Sequence, residues 1–353
     1  MANDSAKRFL TPLELLNLYY SDGEVLSNKE SKLWQTINSL LSWENILDKH
    51  YQTDLCPLLF YIITKALAKI YITRQHYDSS SDMVPDRILA ELQERYRESL
   101  KRNMILMSEL KTVTDELGKN DIATIAIKGA YLADNVYDNI ACRPMGDIDI
   151  LIRNNDMRKS ETIFQSLHYK RMEENPRILR LHRSFVKETT GEIIKIEVHH
   201  CLAKDVFMTN FDLDKIWSLR FLPIEYNLIY LSWHAVRHGI SRFIWLCDMA
   251  QLIKKNTDSI NFSDVERFGI LHNADKHVSF CLFLMNTLLT PASGQNNYHV
   301  HELYLHNKLF VKLQNIILNN KRINVLSNIL GMTLMHPADL LRYIPRYLLY
   351  RLF

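Results

Sequence analysis

Much that would class the sequence at sight is missing from it. Its five cysteines, Cys56, Cys142, Cys201, Cys247 and Cys281, are scattered with no C-x-x-C spacing. An odd, dispersed set builds neither a disulfide framework nor a zinc knuckle, and it fits a reducing cytoplasm. The amino-terminal MANDSAKRFLTPLELL has no apolar stretch followed by a small-residue cleavage site, so no signal peptide is expected. The most apolar run, Leu58 to Tyr71, is too short for a bilayer and carries Lys65 and Lys69, which makes it a candidate buried helix rather than a membrane span. No large excess of one charge is present: 43 Lys and Arg face 40 Asp and Glu, a formal +3. Proteins that live on duplex backbone carry a denser basic stripe. Local basic stretches, Arg171 to Arg183 and Arg342, Arg346 and Arg351, leave room for a phosphate-bearing partner, though a solvated face is the simpler account of each. Walker A, G-x-G-x-x-G and G-x-S-x-G sequences are all lacking, as are internal repeats and low-complexity tracts.

What is there is an ordinary globular composition, 47% hydrophobic and 24% charged, over 353 residues. That length exceeds one usual core and predicts two or three sub-domains. Helical signals fill the first part. Thr11-Pro12-Leu13-Glu14 offers an N-cap hydroxyl, a proline at the first helical position and a glutamate that closes a capping box. Ser31 to Trp34 opens a second candidate helix and Leu55 to Ile72 a third. Tyr77 to Pro85 is polar and turn-rich, a linker, and Pro85 to Leu117 then carries apolar residues at three-to-four spacing.

After Gly118 the texture changes. Ile122 to Ile127 is a short β-branched run ending at Lys128-Gly129, a buried strand, and Ala130 to Tyr137 a short helix. Ile148 to Ile152 predicts a second strand and Asp156 to Leu167 a second helix. Ile178 to Glu188 and Glu192 to Leu202 predict an antiparallel hairpin around Thr189-Thr190-Gly191. The helical period returns beyond Pro223, over Ile224 to Val236, Arg242 to Ile253, Val265 to Ile270 and His277 to Leu289. The expected fold is therefore α/β in the α+β sense: helical over 1–117, a small mixed sheet within 118–222, and helical again over 223–353.

The chemistry-bearing residues sit in the middle part. On a strand, Asp147 and Asp149 share one face while Ile148 points to the other. Adjacent carboxylates repel unless a cation lies between them, and a divalent metal is the common solution. Mg²⁺ takes hard oxygen ligands, usually one or two carboxylates plus substrate phosphates. Paired ions about 3.5–4 Å apart activate an attacking oxygen and stabilise a leaving one. Glu197, between Ile196 and Val198, is an acid on an otherwise apolar strand and a candidate third ligand, with His199 on the same face. Lys128 offers a point charge and Gly129 close backbone approach, both suited to a triphosphate. Arg143 stands four residues before Asp147, within reach of a phosphate or of the carboxylates. Each piece alone is a weak signal. Their ordered combination leaves three acids in apolar strands, where bare charge is costly.

At these residues the chain resembles the nucleotidyltransferase superfamily of the DNA polymerase β-like fold. Within it the match is to a bacterial nucleotidyltransferase family marked by Lys-Gly, a following tyrosine, an arginine and Asp-x-Asp-hydrophobic-Leu. Here that signature is IKGAYLADNVYDNIACRPMGDIDILI, from Ile127 to Ile152, followed by Glu197-Val198-His199 and by WHAVRHGISRFIWLCDMAQLI from Trp233 to Ile253. The resemblance covers roughly residues 115 to 290. Many superfamily members open the motif with Gly-Ser, where this chain has Lys128-Gly129.

The resemblance implies a nucleotidyltransferase core at 118–222 that moves an NMP from an NTP to an acceptor with release of pyrophosphate. It uses Mg²⁺, or Mn²⁺, held by Asp147, Asp149 and Glu197, with Lys128, Gly129 and Arg143 on the nucleotide. His199, His234, His238, Arg242 and Asp248 are candidate contacts to base or acceptor. His234 and His238 share a helix face, and hydrogen-bonded histidines at a helix junction explain that spacing better than zinc does. Small molecule, peptide, protein and RNA terminus all remain open as acceptors, and the near-neutral charge argues mildly against tRNA. Two rivals stand beside this reading: a toxin-like enzyme acting on tRNA ends, and a non-catalytic nucleotide-binding regulator.

Overall fold

A computed structural model describes residues 10–20, 35, 38, 41–48, 53–66, 84–173, 182–189, 191–202, 213–219, 221–238 and 240–289. The helix expected to open at Ser31, the polar segment from Tyr77 to Met83 and the carboxyl-terminal part with Arg342, Arg346 and Arg351 lie outside these residues.

Helices come first. Pro12–Tyr20 (α1) opens with the expected capping box: the Glu14 amide donates to Thr11 Oγ1 at 3.2 Å and the Thr11 amide to Glu14 Oε2 at 2.9 Å. Trp43–Leu47 (α2) and Cys56–Tyr61 (α3) follow, and α3 runs on as a π turn over Ile62–Ala66. Asp86–Lys119 (α4) is 34 residues long, about 51 Å at 1.5 Å per residue. It contributes to both buried clusters of the described residues. Leu92 packs with α1 to α3 and the late helices, while Leu106, Leu110, Val113 and Leu117 pack under the sheet.

The sheet follows as Thr124–Ile127 (β1), Ile148–Ile152 (β2), Lys170–Arg171 (β3), His182–Thr189 (β4) and Glu192–His199 (β5). Lys128–Asn135 (α5) and Met157–Ser166 (α6) sit between strands. The strand order is β1-β2-β5-β4-β3, with β2 and β5 parallel and the other pairs antiparallel. Strand periodicity then sorts the side chains. Ile148, Ile150 and Ile152 of β2, Ile194, Ile196 and Val198 of β5 and Phe185 of β4 face one way, against α4 and Phe164 of α6. Each such burial stabilises by about 1.5–3 kcal/mol. The alternate positions, Asp149, Lys195, Glu197, His199 and His182, fall on the opposite face.

Leu213–Leu219 (α7), Ile224–Arg237 (α8), Ile244–Lys255 (α9), Phe262–Leu271 (α10) and Asp275–Leu288 (α11) complete the described chain. Their apolar faces join α1 to α3 and the Ile125, Ile127 and Leu151 side of the sheet in one cluster. The side of the sheet that carries Asp149 and Glu197 thus faces these helices. All five cysteines are free and buried. No helix among the described residues is long and apolar enough to cross a membrane.

One titration follows from the late helices. His277 of α11 is buried, and burial pushes its imidazole down from 6.5 to about 4. The unfolded chain therefore takes up this proton at a higher pH than the folded one. The associated stability is complete above pH 6.5 and is withdrawn as pH falls toward 4, by up to about 3 kcal/mol. Thermal melts from pH 7 to pH 4 should show a shallower decline for His277→Phe than for the parent chain; parallel declines would contradict the assignment.

Candidate active site

The site is assembled by register. In the parallel pair β2–β5, Asp149 is the direct partner of Glu197, so two carboxylates stand side by side on the polar face. Strand β2 begins at Ile148, which leaves Asp147 one residue before the strand and half-exposed. Its Oδ2 lies 3.6 Å from Lys195 Nζ, and Lys195 also pairs with Glu197 Oε1. Upstream, α4 holds the loop that delivers these acids. Asn103, fully buried, donates to the Arg143 carbonyl at 2.8 Å and accepts from the Met145 amide at 3.2 Å. Arg102 donates to the Gly146 and Ile193 carbonyls at 3.3 and 2.7 Å, tying the loop to β5.

Lys128 sits where β1 turns into α5, with a φ of 50°. That left-handed conformation is strained for a residue with a Cβ. The turn brings Nζ to 2.7 Å from Asp149 Oδ1, and His199 Nε2 meets the same oxygen at 2.8 Å. Burial would raise the Asp149 carboxyl, but Lys128 and His199 outweigh it and hold it well below the usual carboxylate range. Burial also acts to raise Glu197, yet hydrogen bonds from His199 and Lys195 bring it down to about 2. Asp147 moves the other way: burial, then the charges of Asp149 and Glu197, push its carboxyl up.

Three acids thus face two ammonium groups. His182 adds no compensating charge, since burial and His199 lower its imidazole to about 4. At Asp147, burial and the two neighbouring carboxylates outweigh the Lys195 ammonium 3.6 Å away. An oxygen-donor set of this kind, with a half-exposed acid at its open edge, fits a hard divalent cation such as Mg²⁺.

Other expected contacts have different surroundings. Arg143 is buried: its Nε donates to Asp248 Oδ1 at 2.7 Å and its Nη1 to the Pro144 carbonyl at 2.6 Å. Tyr137 donates to the same Asp248 oxygen at 2.8 Å. Asp248 is fully buried on α9, and its Oδ2 has no hydrogen-bond partner. The expectation that Asp248 lines the cleft therefore meets an acid enclosed beneath it, because the guanidinium and the phenol draw it inward. Gly129 lies over this network; a Cβ there would stand 3.4 Å from Met145 Cγ and 3.8 Å from Arg143 Nη1. Arg242 pairs with Asp54 through Nη2 at 2.7 Å. His234 and His238 have ring centroids 4.6 Å apart and pack on Trp245 at 5.0 and 5.7 Å. Burial and the Lys128 charge push the His234 imidazole well below its ordinary value.

Three members of the site had no place in the sequence reading. Lys195 is visible afterwards as the residue two before Glu197, hence on its face. Tyr230 of α8 lies against Lys128 and leaves no sequence signal; burial raises its hydroxyl to about 12. The third is His182, the direct partner of His199 across β4–β5. His182, Glu197 and His199 are the group of metal-capable side chains that converges among the described residues, with ligand atoms within 4.8 Å of one another.

No curated protein and no solved structure matches the chain. A family model described as uncharacterised nucleotidyltransferase matches residues 40–290, well over half of the 353. That span contains all five strands and every acid of the polar face, and nucleotidyl transfer in general is the activity that membership supports. The chain belongs to this nucleotidyltransferase family.

Proposed function

We propose that the chain is a Mg²⁺-dependent nucleotidyltransferase of polymerase β-like type that moves an NMP from an NTP to an acceptor and releases pyrophosphate. The observation that carries this reading is the Asp149–Glu197 register pair, with Asp147 at its open edge and Lys128 aimed at its centre. Asp147, Asp149 and Glu197 would hold the divalent ion, which supplies charge stabilisation at the transferring phosphate. Lys128 exchanges part of its pairing with Asp149 for the triphosphate, and the Gly129 backbone lets phosphate approach closely. Glu197, kept ionised by its neighbours, is placed to accept the acceptor's proton. Arg143 acts from below: held by Asp248, it positions the loop that ends in Asp147. The ring cluster of half-buried His234 and Trp245 with the exposed His238 would suit a nucleobase.

Two measurements test the proposal. Calorimetric titration with each NTP should give binding with Mg²⁺ at least about tenfold tighter than with EDTA, a difference of about 1.4 kcal/mol. Equal affinity in both would remove the ion from the site. Glu197→Gln should lower pyrophosphate release by about 10²–10⁴-fold, the range for loss of a general base, while the protein stays folded. Full turnover by that variant would assign Glu197 to the hairpin alone.

A further inference from the structure

Glu197 turns its two carboxylate oxygens to different surroundings. Oε1 is taken by the Lys195 ammonium, on the side of Asp147. Oε2 faces two imidazoles, His182 Nε2 at 3.7 Å and His199 Nε2 at 3.6 Å. Both rings come from paired strands, with centroids 4.8 Å apart, so backbone register rather than a loop sets their spacing. In each ring Nδ1 is buried without a hydrogen-bond partner, which leaves Nε2 as the nitrogen turned toward Glu197. The side chains are enclosed as well, with relative exposures of 16% for His182, 13% for Glu197 and 5% for His199.

We propose that His182, Glu197 and His199 form a binding site for a first-row divalent transition ion within the nucleotidyl-transfer centre, and that this position prefers such an ion over Mg²⁺. The ligand chemistry carries the preference. Imidazole suits Zn²⁺, Co²⁺ and Fe²⁺, whereas Mg²⁺ takes oxygen and seldom nitrogen. Two histidines and a glutamate are a three-ligand set that leaves a position open for water or substrate. The spacing agrees: ligand atoms about 2.1 Å from a tetrahedral ion stand roughly 3.4 Å from one another, and the two N–O separations are 3.7 and 3.6 Å. His199 would give up its hydrogen bond to Asp149 Oδ1, which keeps Lys128 at 2.7 Å. The two ion positions of the centre then differ in kind. The Asp147–Asp149 edge offers only oxygen, and the Glu197 side offers nitrogen and oxygen.

The proposal rests on the nucleotidyl-transfer reading for the ion's role, but its test needs no nucleotide. The full chain, stripped of metal, is titrated with Co²⁺ and followed by visible absorption. Expected is one Co²⁺ per chain with visible d–d bands, displaced by Zn²⁺ and not by a hundredfold excess of Mg²⁺. His182→Ala should weaken Co²⁺ binding by more than the roughly 10–100-fold that loss of an outer partner costs. His182→Gln, which fills the volume, serves the same purpose if the alanine variant fails to fold, with thermal melting as the check. Co²⁺ bound no tighter than Mg²⁺, or bound equally by a folded His182 variant, overturns the proposal. A chain that binds Co²⁺ through His182 yet releases no pyrophosphate with any NTP would overturn the transfer reading and leave this site standing.

Discussion

Asp149→Asn is expected to cost about 10³-fold or more in turnover, because it removes the charge at the centre of the proposed ion site, an effect of several kcal/mol on the transition state. The same change should lower stability. Asp149 accepts from both Lys128 and His199, and each hydrogen bond to a charged group is worth about 1.5–3 kcal/mol. Asp147→Asn should have the opposite sign in melting. Its carboxyl is raised by burial and then by the acids around it, so removing that charge relieves both and holds or raises the melting temperature while turnover falls. A double variant, Lys128→Met with Asp149→Asn, should regain stability over the single Asp149 variant and no activity. Paired melting and pyrophosphate assays of the four proteins decide the matter. Parallel melting shifts at Asp147 and Asp149 would show that the two acids do not sit in the different environments described.

The second large effect lies outside the catalytic acids. Asp248→Asn should destabilise by about 3–5 kcal/mol, the usual result of removing one partner of a buried ion pair. The Arg143 guanidinium and the Tyr137 hydroxyl share Asp248 Oδ1, and both would be left in a dry interior. Against a typical total of about 5–15 kcal/mol, this variant can lose its folded state at ordinary temperature. Arg143→Met with Asp248→Leu distinguishes a structural pair from a cleft residue, since apolar side chains of similar volume should melt well above Asp248→Asn. A single Asp248→Asn variant that melts like the parent, with only its apparent KM for NTP raised, would return Asp248 to the nucleotide.

Much of this arrangement was legible in the residues, for identifiable reasons. Thr11-Pro12-Leu13-Glu14 specifies its own capping geometry, and the β-branched runs at Ile122 and Ile148 lie close to strands β1 and β2. Period alone could pair Asp147 with Asp149 and Glu197 with His199, each within its own segment. What escaped depends on pairing. A three-residue turn at Thr189-Thr190-Gly191 would set Val198 opposite His182. The actual pairing of Thr189 with Glu192 shifts the register by one and sets His199 there instead. One residue of turn length thus decides whether a second imidazole reaches the acids. The fate of Arg143 and Asp248 was hidden for another reason. They are 105 residues apart, and nothing local in either segment says that an arginine near a metal motif will turn down to a buried acid rather than up to phosphate.

The strained backbone at Lys128 bears on how such a protein changes under selection. Glycine or asparagine would occupy a φ of 50° at lower conformational cost, but neither carries an ammonium. The ammonium is also the buried partner of Asp149, and stripping one member of such a pair costs about 3–5 kcal/mol, more than the roughly 1–3 kcal/mol that the strained turn stores. A population screened for heat resistance alone would therefore keep lysine at this turn as long as Asp149 stays, and glycine could enter only after the acid had gone.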